Sequence, residues 1–487
     1  MSRSISKNAI FKAILNLFNI ILPIVVLPVV LSRIQPTLNG YITMGETFTG
    51  IFMIFASFGV YQYGLREVSR VRGDERKLRQ TFTSLFMVTT ITTVVTSIIY
   101  VIFIVTARRN EAYFYTCMIM GLNIVFNLFY VEWMNEALEN YDFIAFKTML
   151  VKIIYSVLVL CFVRSQEDFL LYIYLGVGVN FINNILSFMY IKKKIKFDFS
   201  NLKLRKHIKP MFSAVILSNT SLLYTQLDKL MIDSNIGSTE AGYYAVAQKV
   251  MIIINTLMLT IIQVSMPRLS NYLENDSKDV YLDLLKRVTK VYFLLLFPAS
   301  IGLLCVSNQV MWIFGRFKSD YLPAAPIMMA FSIYMLTIGV EGIIANQIIY
   351  LHGREKADAK LVLIGGIFNL ILNIMLVVSK KFTPTTAIIT TVISNLIVVG
   401  LEYRLIKKGI KLKINLFAFE NIKYLYYSLP FIPITYIINT YVSGMLISCI
   451  VDVIVCGGLY LGILFFTRDD VFFDLVNRVV RKVKSLA

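Results

Sequence analysis

The sequence predicts an all-α polytopic membrane protein with about 14 transmembrane helices, built as two six-helix lobes related by a parallel repeat plus two C-terminal helices. Three observations predict it. Of the 487 residues, 57% are hydrophobic and only 16% are charged, with a mean hydropathy of +0.70. A soluble chain of this size covers its core with far more charge. Apolar windows of about 20 residues, enough to cross a hydrocarbon layer of about 30 Å, recur from end to end between short polar clusters. A faint internal repeat divides the chain.

Taken in order, the spans are expected at 8–33, 40–64, 81–106, 111–138, 143–164, 168–191, 208–233, 240–266, 288–314, 323–350, 358–379, 385–406, 422–440 and 443–466. The first is too long for a signal h-region and lacks a small-residue cleavage pattern, so it reads as a retained helix. With a cytoplasmic N-terminus, the inner segments hold 37 of the 48 Lys and Arg and the outer segments hold 8. Lys152, Lys229 and Lys249 make up the rest, inside spans. This is the positive-inside bias, and it puts both termini in the cytoplasm. The net charge of +19 is concentrated in inner loops such as "KKKIKFDFSNLKLRKHIK". It reads as topology and attraction to anionic headgroups, not as nucleic-acid binding. The five cysteines lie in apolar spans without metal or redox spacing and read as small core residues.

The repeat has an offset of 202. "TLNGYITMGETFTGIF" (37–52) overlies "STEAGYYAVAQKVMIII" (238–254), matching Gly40-Tyr41 to Gly242-Tyr243. "LREVS" (65–69) then falls on "PRLSN" (267–271), Arg66 on Arg268. Six helices in each half give both halves the same orientation, which suggests alternating access around a central cavity. The expected organisation is an N-lobe at 1–192, a basic cytoplasmic loop at 193–209 and a C-lobe at 210–408. Residues 409–487 then supply spans 13 and 14 and a cytoplasmic tail.

Catalysis is not expected. No phosphate-binding G-x-x-x-x-G-K-[ST] motif occurs, the only histidines (His207 and His352) fall in expected inner loops, and the outer loops are too short for a glycosyltransferase site. No metal or cofactor is expected.

The informative residues are ionisable side chains inside spans, each costing a few kcal/mol unless it faces protein or water. "LLYTQLDKLMID" (222–233) carries Asp228, Lys229 and Asp233. With Glu46 on span 2 and Lys249 on span 8, Asp228 and Lys229 form a polar layer roughly 8–14 Å below the outer surface. Three readings stay open: buried ion pairs, among which Lys229 with Asp233 at i+4 is the best local one; lysines lining a wet cavity for an anionic substrate; and Glu46 or Asp228 carrying protons or sodium. Lys152 in span 5 and Lys12 near the inner end of span 1 are further cavity cations, although Lys12 can also snorkel. Glu341 in span 10 is a further carboxylate for coupling or gating. Glu132 and Glu136 in span 4 and the many span Asn residues suit either a wet interior or interhelical glue.

Taken together, "GYYAVAQKV" (242–250), "MPRLSN" (266–271), "YGLREVSRVR" (63–72), "FPASIGL" (297–303), "WIFGRFKSDYLPAA" (312–325) and "LHGREK" (351–356) resemble the polysaccharide transporter family. That family holds the flippases of O-antigen, capsule and related glycans, within the multidrug/oligosaccharidyl-lipid/polysaccharide exporter superfamily. The resemblance runs through both halves and rests on the order and spacing of motifs that are individually weak. It implies an undecaprenyl-pyrophosphate-linked oligosaccharide as substrate, flipped to the outer leaflet. It also implies membrane lipids, a coupling H+ or Na+, and glycan polymerase and chain-length proteins as partners. Lys229 and Lys249 match the cations that the family places on spans 7 and 8. The first half departs from the pattern by offering few deep cations, Lys152 and Lys12.

Overall fold

The computed structural model describes residues 5–219, 222–275, 277–412 and 414–484. Among these the regular structure is helical throughout. In the first half, α1 (Ile5–Leu31) leads into α2 (Pro36–Ser57), where Pro36 occupies a first-turn position whose N–H has no intrahelical partner anyway. α2 stops at Phe58 and Gly59, both with positive φ (47° and 71°), and α3 (Val60–Val71) follows. α4 (Glu75–Ala107) starts under an Asp74 cap that accepts from the Lys77 N–H at 3.0 Å. Next come α5 (Phe114–Phe126), a 3₁₀ turn at Asn127–Phe129, α6 (Glu132–Ala137), α7 (Tyr141–Phe162) and α8 (Phe169–Lys194). Beyond the basic loop lie α9 (Leu204–Asn219) and α10 (Leu222–Asn235).

The second half opens with α11 (Ser238–Glu274), α12 (Lys278–Cys305), α13 (Ser307–Phe314) and α14 (Ala325–Ile343). A π turn at Ile344–Ile349 ends α14; then follow α15 (Glu355–Val378), α16 (Pro384–Leu405) and a second π turn at Ile406–Ile410. The chain finishes with α17 (Phe419–Ser428), α18 (Phe431–Tyr441), α19 (Met445–Phe466) and α20 (Asp470–Lys484).

Among the described residues, twelve stretches, some of them joining consecutive helices, are long and apolar enough to cross a membrane. The two remaining expected spans are pairs of shorter helices: α9 with α10, whose connecting residues 220–221 lie outside the described residues, and α17 with α18, separated at Leu429 and Pro430. Expected span 9 is displaced. α12 begins at Lys278, because "KDVYLDLLKRVTK" continues the helix as an amphipathic extension, and α13 is a separate short helix. His207 also departs from expectation: it is buried in α9, not exposed in a loop, with its Nδ1 3.0 Å from the Tyr63 hydroxyl.

Burial runs inside out relative to a soluble protein. On α15 the exposed stripe is Ile364, Ile367, Ile371, Ile374 and Val378, while Asn369 and Asn373 are buried. That is the pattern of helices surrounded by lipid, where apolar side chains need no shelter and polar ones tie helices together. Contacts group the chain into two compact units, Met1–Ala245 and Val246–Ala487, dividing within α11.

Inside the first unit the repeat mates touch. α2 and α11 both begin at the 202 offset, at Pro36 and Ser238. The Thr37 and Thr239 hydroxyls lie 2.7 Å apart, and Asn39 Nδ2 donates to the Gly242 carbonyl at 3.1 Å. A Cβ on Gly242 would collide with the Pro36 carbonyl and stand 2.9 Å from the Gly40 nitrogen; one on Gly40 would collide with the Ser238 carbonyl. Only glycine at both positions lets these backbones cross so closely. Gly242→Ala is therefore expected to lower the thermal midpoint of the purified protein, at a cost of about 1–3 kcal/mol. Gly302→Ala, where a Cβ meets open space, is expected to leave the midpoint in place.

Outside the spans, Asp469 fixes the C-terminal helix. It is buried, and burial opposes its ionisation, but the Lys423 ammonium, the Phe472 N–H and the Tyr424 hydroxyl outweigh that and hold its carboxyl below the usual range. A depressed carboxyl stabilises the fold fully above its unfolded value of about 3.9 and loses that contribution as pH falls through the folded value. Asp469→Asn should lower the melting temperature at neutral pH, with the gap from wild type closing in acid below about pH 4.

Candidate substrate and coupling site

On α10 the carboxylate of Asp228 is fully buried at 0% exposure and accepts from the Tyr244 hydroxyl at 3.1 Å. Tyr244 lies on the second turn of α11, so a neutral donor from the next helix answers this charge. Lys229, about 100° around the helix from Asp228, is 9% exposed. Asp233, one turn further on, accepts from Tyr113 Oη at 3.0 Å and from Ser238 Oγ at 2.5 Å. Its bonds tie α10 to the approach to α5 and to the first residue of α11.

Glu46 and Lys249 share a different pattern. Glu46 is exposed on α2, although 42–45 and 47–49 are all buried. Lys249 is half-exposed on α11 between 244–248 and 250–251, also all buried. The 202 offset places Glu46 on Gln248, which is buried, so the open position moves by one residue between the halves.

The two cations expected in the first half lie along the seam of α1 and α7. Lys152 Nζ donates to Asn19 Oδ1 at 2.7 Å. Lys12 is exposed, with its ammonium 5.8 Å from the Tyr141 ring centre. Arg33 closes the same seam by donating to the Leu160 and Val163 carbonyls at the end of α7.

A deeper ion pair was not legible as such in the sequence. Lys147, 4% exposed on α7, donates to Glu132 at 3.1 and 3.2 Å, to Ser187 Oγ at 2.5 Å and to the Asn183 carbonyl at 3.3 Å. In the sequence Lys147 is one more cation at the inner end of span 5. The available signal was a Glu closing one span and a Lys in the second turn of the next. Glu136 accepts from Tyr61 Oη at 2.9 Å, so both span-4 carboxylates have partners.

In the second unit, buried amides and hydroxyls join α15 to α16. Asn369 donates to Thr391 at 2.9 Å, Asn373 donates to Asn369 at 3.2 Å, and Thr390 donates to Asn373 at 2.5 Å. This is interhelical glue. Towards the other end of α16, Asn395 Nδ2 donates to Glu341 Oε2 at 2.5 Å. Glu402, unnoticed in the sequence because it lies beside the basic end of its span, is completely buried there.

Breaking a buried pair strands its partner and costs about 3–5 kcal/mol. Lys147→Met should therefore strongly destabilise the purified protein, and Lys147→Met with Glu132→Gln should recover most of the loss in thermal melts.

With this geometry in hand, comparison with known proteins is informative. A sequence model of the family described as "Polysaccharide biosynthesis protein" matches residues 5–273. No curated protein matches the sequence. Among solved structures, "Lipid II flippase MurJ, inward closed conformation" is similar with a TM-score of 0.74 at 16% identity, covering 95% of this chain and 99% of that one. An inward-facing multidrug resistance MATE family transporter of the MOP superfamily is similar with a TM-score of 0.59 at 11% identity, over 82% of this chain and 94% of that one. An outward-facing MATE transporter gives 0.51 at 10% identity, over 80% and 99%. These likenesses establish the fold, and the match over more than half of its length shows that the chain belongs to the polysaccharide biosynthesis protein family.

Proposed function

We propose that the protein flips an undecaprenyl-pyrophosphate-linked oligosaccharide from the inner to the outer leaflet of a bacterial cytoplasmic membrane. The cycle is alternating access driven by an ion gradient, with no chemical step, and both termini are cytoplasmic. The observation that carries the proposal is the set of lysines held inside membrane-spanning helices of a polysaccharide-family chain. Lys229 is nearly buried, Lys249 is the one open position of its stretch, and Lys152 is held by an amide instead of a carboxylate. A pyrophosphate crossing apolar territory must exchange its hydration for such cations.

In this reading Lys229 and Lys249 meet the pyrophosphate during the cycle, and Lys152 and Lys12 guide it along the α1–α7 seam. Asp228 and Glu46 are the carboxylates beside those cations that respond to H+ or Na+, Asp233 fixes the helix that bears Lys229, and Glu341 serves coupling in the second unit. Membrane lipids hold the polyprenyl tail, and polymerase and chain-length proteins receive the product. Lipid II is the second reading, favoured by the match to the MurJ fold along the full chain.

Lys229→Ala and Lys249→Ala should abolish glycan export at normal protein level, with lipid-linked glycan accumulating in the inner leaflet; wild-type export by both variants would remove the headgroup role. Asp228→Asn or Glu46→Gln should weaken the dependence of flipping on an imposed gradient. Proteoliposomes loaded separately with undecaprenyl-linked oligosaccharide and with lipid II decide between substrates, since the proposal requires the former to be flipped faster.

A further inference from the structure

Three carboxyl groups of the second unit converge near one end of α14, α15 and α16. Glu341 lies in the last turn of α14, Asp358 in the first turn of α15 and Glu402 in the last turn of α16. Glu402 has 0% exposure, and its neighbours in electrostatic contact are the other two carboxyls. Asp358 is its electrostatic neighbour on the adjoining helix. Neither Glu402 oxygen, nor Asp358 Oδ1, has a hydrogen-bond partner among the described residues.

Asn395 provides a second observation. It sits two turns before Glu402 on the same face of α16, is 5% exposed and gives its Nδ2 to Glu341. Its Oδ1 is buried with no partner among the described residues. Two of the three helices that bear the acids, α14 and α16, change to π geometry directly afterwards, at Ile344–Ile349 and Ile406–Ile410. π turns concentrate at functional sites.

The charged groups around the cluster do not neutralise it. On α15 and the loop before it, Arg354, Lys356 and Lys360 are exposed; on α16 and the turn after it, Arg404, Lys407 and Lys408 are exposed. Lys407 lies over the Tyr403 ring at 4.6 Å. His352 is half-buried, with Nδ1 at 2.7 Å from the Ile348 carbonyl. The groups that act on Glu402 are thus two more acids. A fully buried carboxyl whose neighbours are two more acids, and whose oxygens accept no hydrogen bond, is stable there only with a proton on it.

We propose that Asp358 and Glu402 form a proton-binding pair, with Glu341 and Asn395 as its outer members, and that this pair, not a sodium site, is where the second unit takes up and releases the coupling proton. One proton from water adds to the carboxylate pair, and the same proton leaves to water on the opposite side of the cycle. The coupling role rests on the flippase reading; the occupancy of the pair does not.

The test is infrared difference spectroscopy of the full chain in lipid nanodiscs, in H2O and D2O, together with proton uptake by proteoliposomes. The wild type should show the carbonyl stretch of a protonated carboxyl, shifted by D2O and insensitive to added Na+. Glu402→Gln should remove the band, and Asp358→Asn should shift its frequency. Glu402→Gln should also reduce gradient-driven flipping to the level seen without a gradient. A wild type lacking the band, a band unmoved by either variant, or a band lost on adding Na+ would overturn the proposal. If Glu402→Gln fails to fold, the frequency shift in Asp358→Asn alone decides occupancy. A wild type that keeps the band yet flips no glycan upholds the proton pair and sinks the transport reading.

Discussion

Inside a bilayer no water stands ready to solvate a stray charge, so every ionised side chain must be answered by the protein or by a wet opening that the protein maintains. That constraint organises this molecule. Lys147 is met by Glu132, Ser187 and a backbone carbonyl, Lys152 by Asn19, Asp228 by Tyr244, and Asp233 by Tyr113 and Ser238. The answers fall into two kinds. Lys147 is surrounded by a carboxylate and further acceptors, which makes it a fixed strut. Lys152 is held by a neutral amide, which satisfies geometry while leaving its charge uncancelled, and Asp228 accepts from a phenol. An uncancelled charge is what an anionic headgroup or a moving ion can exploit.

The backbone obeys the same economy at the repeat. Two helices that begin 202 residues apart in sequence meet through Gly40 and Gly242, with a hydroxyl pair and an amide–carbonyl bond beside them. Without side chains at those points, backbone approaches backbone and dispersion replaces the hydrophobic drive that lipid does not supply. The crossing fixes the start of α11, and with it the place of Tyr244 on Asp228. The chemistry of the polar layer thus depends on two absent methyl groups.

In the second unit the polar groups follow a gradient of satisfaction. The amides and hydroxyls of Asn369, Asn373, Thr390 and Thr391 bond to one another across α15 and α16, whereas the acids towards the other end of α14–α16 meet mainly one another. A satisfied network holds two helices in one arrangement. A cluster whose stability depends on a proton has two states of different charge and can bias helices between arrangements. Unit-wide stiffness and a local titratable switch thus lie on the same two helices.

Much was legible in the sequence because a membrane makes pattern and structure nearly equivalent. Window length and the Lys/Arg bias yielded the spans and their expected orientation, the Gly-Tyr pairs exposed the repeat, and "LLYTQLDKLMID" marked the charged layer, since any charge in an apolar run is conspicuous. Conspicuousness fails at span ends, where charge is ordinary. Lys147, Asp358 and Glu402 are inconspicuous there, and only packing across helices shows that Lys147 and Glu402 are buried and Asp358 half-buried. Sequence alone also could not say that Asp228 takes a phenol from the next helix, that Glu46 and Lys249 are the open positions of packed stretches, or that His207 is buried. Hydropathy is a local property that the bilayer reads residue by residue, so it determined which segments are helices in lipid. Partner choice is a long-range property of folded surfaces, so tertiary structure decided which charges are struts, which sit at openings and which lie buried among other acids.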